Sequence, residues 1–219
     1  MRDARVGHGM DAAQETRYNP FGMDEDCRNC EGLCDVRERV VHGYGDAGAD
    51  FVFVGERPSA GAERTGVPFT GDAAGERFQD VLGQIGLNHS LPTSDEPEIE
   101  NAYLTYLTRC RHPDRDPTDA EVATCEPFLN ADLRMINPEI IVPVGERALA
   151  EIGTEYTTTP ADDLDVVEHH AERIRGRGFE LMPMIHPGSM TTEQADAFVT
   201  AFLDLLDTDY RQTKGRRGR

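Results

Sequence analysis

The 219-residue sequence predicts an α/β protein, a three-layer α/β/α sandwich with a central four-stranded parallel sheet. Four short apolar segments, at 51–54, 102–107, 139–144 and 179–185, are separated by stretches whose apolar residues recur at helical intervals. Strands alternating with helices imply a parallel sheet covered on both faces. The first segment, Phe51-Val52-Phe53-Val54, is apolar without a break, as a doubly covered strand should be. The length suits one domain large enough to bury a full core.

Residues 1–20 are polar and unpatterned and read as a flexible arm, followed by one domain over 21–208 and a basic tail over 209–219. CRNCEGLC occupies 27–34. The strand at 51–54 runs into a loop rich in glycine, proline and arginine, GERPSAGAERTGVPFTGD at 55–72. Phe78, Val81, Leu82 and Ile85 then mark a helix over 73–86, with Asp72 at its N-cap position. A linker with four acids precedes the second strand, and RCRHPDRDP at 109–117 follows it. The next helix starts at Thr118, where Glu121 completes a capping box, and buries Val122, Cys125, Leu129, Leu133 and Ile136. After the third strand come a short helix over 145–152 and an irregular excursion over 153–176. The fourth strand ends at His186, and a closing helix over 191–206 buries Ala195, Phe198, Val199, Phe202 and Leu206. Glu56, the 109–117 loop, Gly145 and His186 all follow strands, so they meet at the carboxyl edge of the sheet, where open α/β sheets bind ligands.

The 22 basic residues against 41 acidic ones give a net charge of -19, and Lys214 is the sole lysine. The acids are spread through the chain, so they read as a solvated surface adapted to high salt rather than as a functional patch. The tail over 211–219 carries five basic residues and no acid, either a nucleic-acid contact or a solvated end. No apolar run reaches about 18 residues and no leader precedes the domain, so no membrane is expected and the location is read as cytoplasmic.

Five cysteines in a reducing compartment point to metal or cluster ligation rather than to disulfides. Cys27-x2-Cys30 and Cys110-x14-Cys125 supply four thiolates. The second pair is too wide for a zinc knuckle, while a cubane cluster tolerates such spacing, so spacing alone leaves iron-sulfur and zinc equal, with buried cysteines as the third reading. Cys34 could replace one ligand, although the set is complete without it and it reads as a buried bystander.

With these motifs the sequence resembles the uracil-DNA glycosylase superfamily, in its fourth and fifth, iron-sulfur families, over roughly residues 27–200. The resemblance is carried by the cysteine spacing, by VGERPSAGAERTGVPFTGD and by HPGSM at 186–190. Gly55-Glu56 and Pro68-Phe69 look like the fourth family, whereas Arg64-Thr65-Gly66 and the Phe69 to Asp72 run look like the fifth. With the composition, the resemblance implies a member from a halophilic archaeon. It also implies that Cys27, Cys30, Cys110 and Cys125 hold a 4Fe-4S cluster rather than zinc. Tyr106 stands where the fourth family has an asparagine that reads uracil.

The implied activity is hydrolysis of the N-glycosidic bond of uracil, or of a related deaminated base, in DNA. The base would be flipped out of the stack. Phe69 is the candidate to stack on it, or else a core residue anchoring its loop. Asp72 would orient water and stabilise the cationic sugar, or serve only as a helix cap, and His186 would donate to a base carbonyl, or simply end its strand. Glu56 would bind water or the base edge, or hold the loop. The Pro187-Gly188-Ser189 turn would present the backbone N–H groups of Gly188 and Ser189 to a phosphate, and Met190 would be a wedge or a core residue. Arg109, Arg111 and Arg115 are candidate phosphate contacts, or ion pairs on an acidic surface. Without a lysine near these motifs, no Schiff base is expected and the enzyme would be monofunctional. A monomer acting on DNA is expected, and the alternative is a non-catalytic nucleic-acid-binding member.

Overall fold

The computed structural model describes residues 16–160 and 163–211. Its elements run α1 (Glu31–Cys34), β1 (Tyr44–Gly45), β2 (Phe51–Gly55), α2 (Ala60–Thr65), α3 (Ala73–Gln84), β3 (Ala102–Tyr106), α4 (Asp119–Ile136), β4 (Ile140–Val144), α5 (Glu146–Tyr156), β5 (Ile174–Arg175), β6 (Glu180–Leu181) and α6 (Thr192–Leu206). The strands form one sheet in the order β1-β3-β2-β4-β6-β5.

The four strands at the centre of that order are parallel, and β2, β3 and β4 are wholly buried. Alternate side chains of β2 feed two cores. Phe51 and Phe53 pack with Phe78 of α3 and Phe198 and Phe202 of α6, while Val52 and Val54 pack with Leu129, Leu133 and Ile136 of α4. Period-two alternation thus places helices on both faces, which is the expected three-layer sandwich.

The sheet has six strands rather than four. β1 and β5 are two-residue antiparallel edge strands, too short to leave a periodic signal. The fourth expected strand shrinks to Glu180–Leu181, because Pro143 on the neighbouring β4 has no N–H to give the Met182 carbonyl. The chain still runs beside β4, with Met184 bridging Val144.

Two helices exceed expectation. The 55–72 segment contains α2, capped by Ser59, whose side chain accepts the Ala62 N–H at 3.1 Å, and ended by Gly66 at φ 83°. α5 continues to Tyr156 through Gly153, where Leu164 packs in the space a side chain would take. The capping boxes of Thr118 with Glu121 and of Thr191 with Gln194 both form. α6 buries Leu205 and leaves Leu206 only partly covered.

The part of the expected arm that is described is tied down: Tyr18 bridges Tyr44, and the Arg17 carbonyl accepts the Gly45 N–H at 2.9 Å. At the other end, Tyr210 donates to Asp50 at 3.1 Å and Arg211 pairs with Asp50, so the fold extends past 208. The remainder of the arm and tail lies outside the described residues. No helix among the described residues is long and apolar enough to cross a membrane.

Candidate active site

Strand register sets the site. Gly55, Tyr106 and Val144 lie side by side at the carboxyl edge of β2, β3 and β4, so Glu56, Leu107 and Gly145 are each one step beyond it. The Glu56 carbonyl accepts the Thr108 N–H at 3.1 Å, which fixes the strand exit. Above this edge is a cavity of about 330 Å³ lined by Glu56, Arg57, Phe69, Asp72, Tyr106 and His186, with Pro187 at its wall.

Phe69 is held from several sides. Its φ of 55° is unusual for a bulky residue. Its N–H donates to the Tyr106 hydroxyl at 2.8 Å and its carbonyl accepts from Gln79 at 3.1 Å. Its ring stacks on Phe78 at 4.2 Å and tilts against Tyr106 at 4.8 Å. The packing needs glycine at 55, since a Cβ there would come within 2.8 Å of both the Phe69 and Tyr106 rings. At the far end of the loop a Cβ on Gly61 would lie 2.4 Å from the Gly71 backbone, so the turn before Asp72 closes directly on α2.

Asp72 caps α3 by accepting the Gly75 N–H on Oδ1 at 2.8 Å, which leaves its second oxygen for the cavity. His186 lines the same cavity. The Gly188 N–H donates to His186 Nδ1 at 3.1 Å, so the neutral ring carries its proton on Nε2. Although His186 is exposed, the cavity walls remove enough water to lower its pKa, helped by Arg57 and opposed by Asp72. The ring is therefore a neutral N–H donor at neutral pH. Glu56 is shifted the other way: loss of water and the nearby Asp116 raise its carboxyl, against Arg57 and Arg147.

The profile of the uracil DNA glycosylase superfamily matches residues 42–207. The chain belongs to the uracil-DNA glycosylase superfamily. It is 34% identical over 169 residues to a type-4 uracil-DNA glycosylase of Archaeoglobus fulgidus, covering 75% of this chain and 77% of that protein. It is 32% identical over 206 residues to a type-5 uracil-DNA glycosylase of Thermus thermophilus, covering 82% and 90%. A type-4 uracil-DNA glycosylase of Saccharolobus solfataricus is 32% identical over 199 residues, covering 86% and 80%.

In this superfamily member the expected site residues divide. Glu56, Phe69, Asp72, Tyr106, His186 and Pro187 converge on the cavity, whereas several expected DNA contacts do not face solvent as free donors. Arg109 is 2% exposed and paired with Asp132, so it is not a phosphate contact. Arg111 bonds Glu63 at 3.4 Å and the Pro113 carbonyl, and Arg115 makes two 2.7 Å bonds to Glu121. Both follow the ion-pair reading. Met190 is 2% exposed and is a core residue, not a wedge. The N–H groups expected to face a phosphate are used inside the turn: Gly188 donates to His186 Nδ1, and Ser189 and Met190 donate to the His186 carbonyl.

Two residues that shape the site escape sequence reasoning. Arg57 lines the cavity and is held by Asp116 at 2.8 Å, and its place directly after Glu56 was the available signal. Arg77 of α3 donates to the carbonyls of Pro187 (3.3 Å) and Met190 (2.6 Å), clamping the turn that carries His186. No sequence signal marks it, because its partners are 110 and 113 residues away.

Cys27, Cys30, Cys110 and Cys125 line one separate pocket with Leu33, Arg37, Val40, His42, Arg109 and Phe128. Among the described residues, no three His, Cys, Asp or Glu side chains converge closely enough to hold a single metal ion. Cys34 is half-buried and does not line the pocket. It shares Arg37 Nη1 with Cys110, at 3.4 and 3.2 Å.

Proposed function

We propose that this protein is a monofunctional DNA repair glycosylase that flips uracil, or a related deaminated base, into the 330 Å³ cavity and hydrolyses its N-glycosidic bond. The observation that carries this reading is the meeting of Asp72 and a neutral, Nε2-protonated His186 across one cavity. Leaving of the base puts positive charge on the sugar and negative charge on the base. Asp72 Oδ2 holds the attacking water and faces the cationic sugar. His186 Nε2–H donates to a base carbonyl as charge develops there, an interaction stronger in the transition state than in the ground state. Phe69 and Tyr106 provide the aromatic wall for the flipped base, and Glu56, with its raised pKa, donates to or accepts from the base edge. Among the described residues no lysine lines the cavity, which suits direct hydrolysis over a Schiff base.

The four pocket cysteines fit a 4Fe-4S cluster better than zinc. They are soft donors from α1's preceding segment, the loop after β3 and α4, gathered around one pocket yet too far apart to close on one ion. When bound, the cluster supplies a cross-link among those three segments. Base release passes through Asp72, His186 and water alone.

The test is base release from oligonucleotides bearing one uracil, one hypoxanthine or only normal bases, in high salt. Asp72→Asn keeps an oxygen for the Gly75 N–H, so it separates chemistry from capping. Release should fall by about 10²–10³ in His186→Ala and by a similar factor in Asp72→Asn, with folding retained. A second reading, a non-catalytic DNA-binding member, draws on Tyr106, whose hydroxyl is engaged by the Phe69 N–H. DNA binding without release of any base by the wild type would establish that reading and overturn the first.

A further inference from the structure

Arg109 and His42 line the same pocket as the four cysteines and are 2% and 1% exposed. Both carry buried nitrogens without a hydrogen-bond partner: Nε and Nη1 of Arg109, and Nδ1 of His42. The rest of Arg109 is tied down. Its Nη2 donates to Asp132, and its backbone N–H donates to Cys125 Sγ at 3.3 Å. Asp132 also accepts from the Tyr103 and Thr105 hydroxyls, each at 3.1 Å. The charged side chain is therefore fixed in place with two nitrogen donors left over.

Buried donors are almost always satisfied, and a guanidinium stays charged at any ordinary pH. An acceptor thus belongs in this pocket. His42 does not offer a competing donor to sulfur, because its Nε2–H is given to the Asp24 carbonyl at 3.0 Å and its neutral Nδ1 only accepts. The acceptors the pocket can gather are sulfur atoms carrying negative charge.

We infer that Arg109 is a positioning residue for the iron-sulfur cluster, donating from Nε and Nη1 to its sulfur atoms and setting its reduction potential with a buried positive charge that Asp132 partly balances. The inference rests on the cluster reading above. Hydrogen bonds to the sulfurs and local net charge are levers on such potentials, and partners behind the ligands help retain a metal group. Reduction adds an electron, so a nearby positive charge favours the reduced cluster and raises the potential, while a nearby negative charge lowers it.

The experiment uses anaerobically purified holoprotein: wild type, Arg109→Gln, Arg109→Lys and Asp132→Asn. It measures iron and acid-labile sulfide, the midpoint potential, and the rate of iron loss to a chelator. Arg109→Gln should lower the potential and lose iron about ten times faster, Asp132→Asn should raise the potential, and Arg109→Lys, which keeps the charge but not the fork of donors, should fall between wild type and Arg109→Gln. A purely structural Arg109–Asp132 pair would not give opposite signs. Same-sign or unchanged potentials in proteins with intact clusters overturn the inference alone. Should Arg109→Gln not fold, Asp132→Asn decides, and a potential that fails to rise overturns it. A wild type that lacks iron and sulfide overturns the cluster reading and this inference together.

Discussion

The proton on His186 is placed by a neighbour's backbone. With Gly188 N–H on Nδ1, a second proton on the ring would set two donors face to face, so protonation must turn the ring away from the position it holds here. The lowered pKa therefore predicts base release that is level through neutral pH and falls only below the ordinary histidine value of about 6.5. Stability moves in the same direction. Between the lowered value and about 6.5 the unfolded chain binds the proton that the folded chain refuses, so stability drops as pH falls through that window. A pH–rate profile of wild type against Glu56→Gln checks the assignment, and an acid limb that disappears with Glu56 would assign it to the carboxyl instead. Tyr106 acts at the same scale through its hydroxyl. Tyr106→Phe leaves the buried Phe69 N–H without an acceptor and should cost about 1–3 kcal/mol in urea denaturation. It should also raise KM more than it lowers kcat, because the aromatic wall loosens while Asp72 and His186 remain.

At the scale of elements, the site depends on α3 more than on any strand. Asp72 caps its first turn, Phe78 backs the Phe69 ring, Gln79 holds the Phe69 carbonyl, and Arg77 clamps the 187–190 turn. One helix thus fixes both halves of the proposed catalytic pair. Arg77→Met removes the clamp at an exposed position, so the change in melting temperature should be small. Misplacing a catalytic group by about 1 Å can cost 10²-fold, and kcat/KM for uracil release should fall at least tenfold. Unchanged kcat/KM would show that the turn holds itself through its own hydrogen bonds.

At the scale of the molecule, the cysteine pocket joins the 27–42 segment, the loop after β3 and α4. Leu33, Val40 and Cys110 form a small core of their own, separate from the two cores flanking the sheet. Small satellite cores open at low free energy. Removing the proposed cluster with an oxidant and chelator should therefore raise amide exchange across residues 27–40 and the loop after β3, while β2 and β4 stay protected. Uniform loss of protection would mean that the cluster holds the whole fold rather than one flank.

Local signals were legible in the chain. The apolar run of β2, the caps at Asp72, Thr118 and Thr191, and the helix stripes each depend on residues within a few positions, so the parallel α/β architecture could be read from them. Of the cavity residues, Glu56 and His186 were legible because strand ends share one edge of the sheet, whereas Phe69, Asp72 and Tyr106 were marked by resemblance to the family's motifs. Tertiary structure alone decided the fate of the arginines. Arg109 is buried because Asp132 on α4 meets it, Arg115 is consumed by Glu121, and Arg57 and Arg77 became site residues through contacts far away in sequence. Spacing shows where a charged side chain starts. Which partner neutralises it, and whether it keeps its water, depends on surfaces that exist only after the layers have packed.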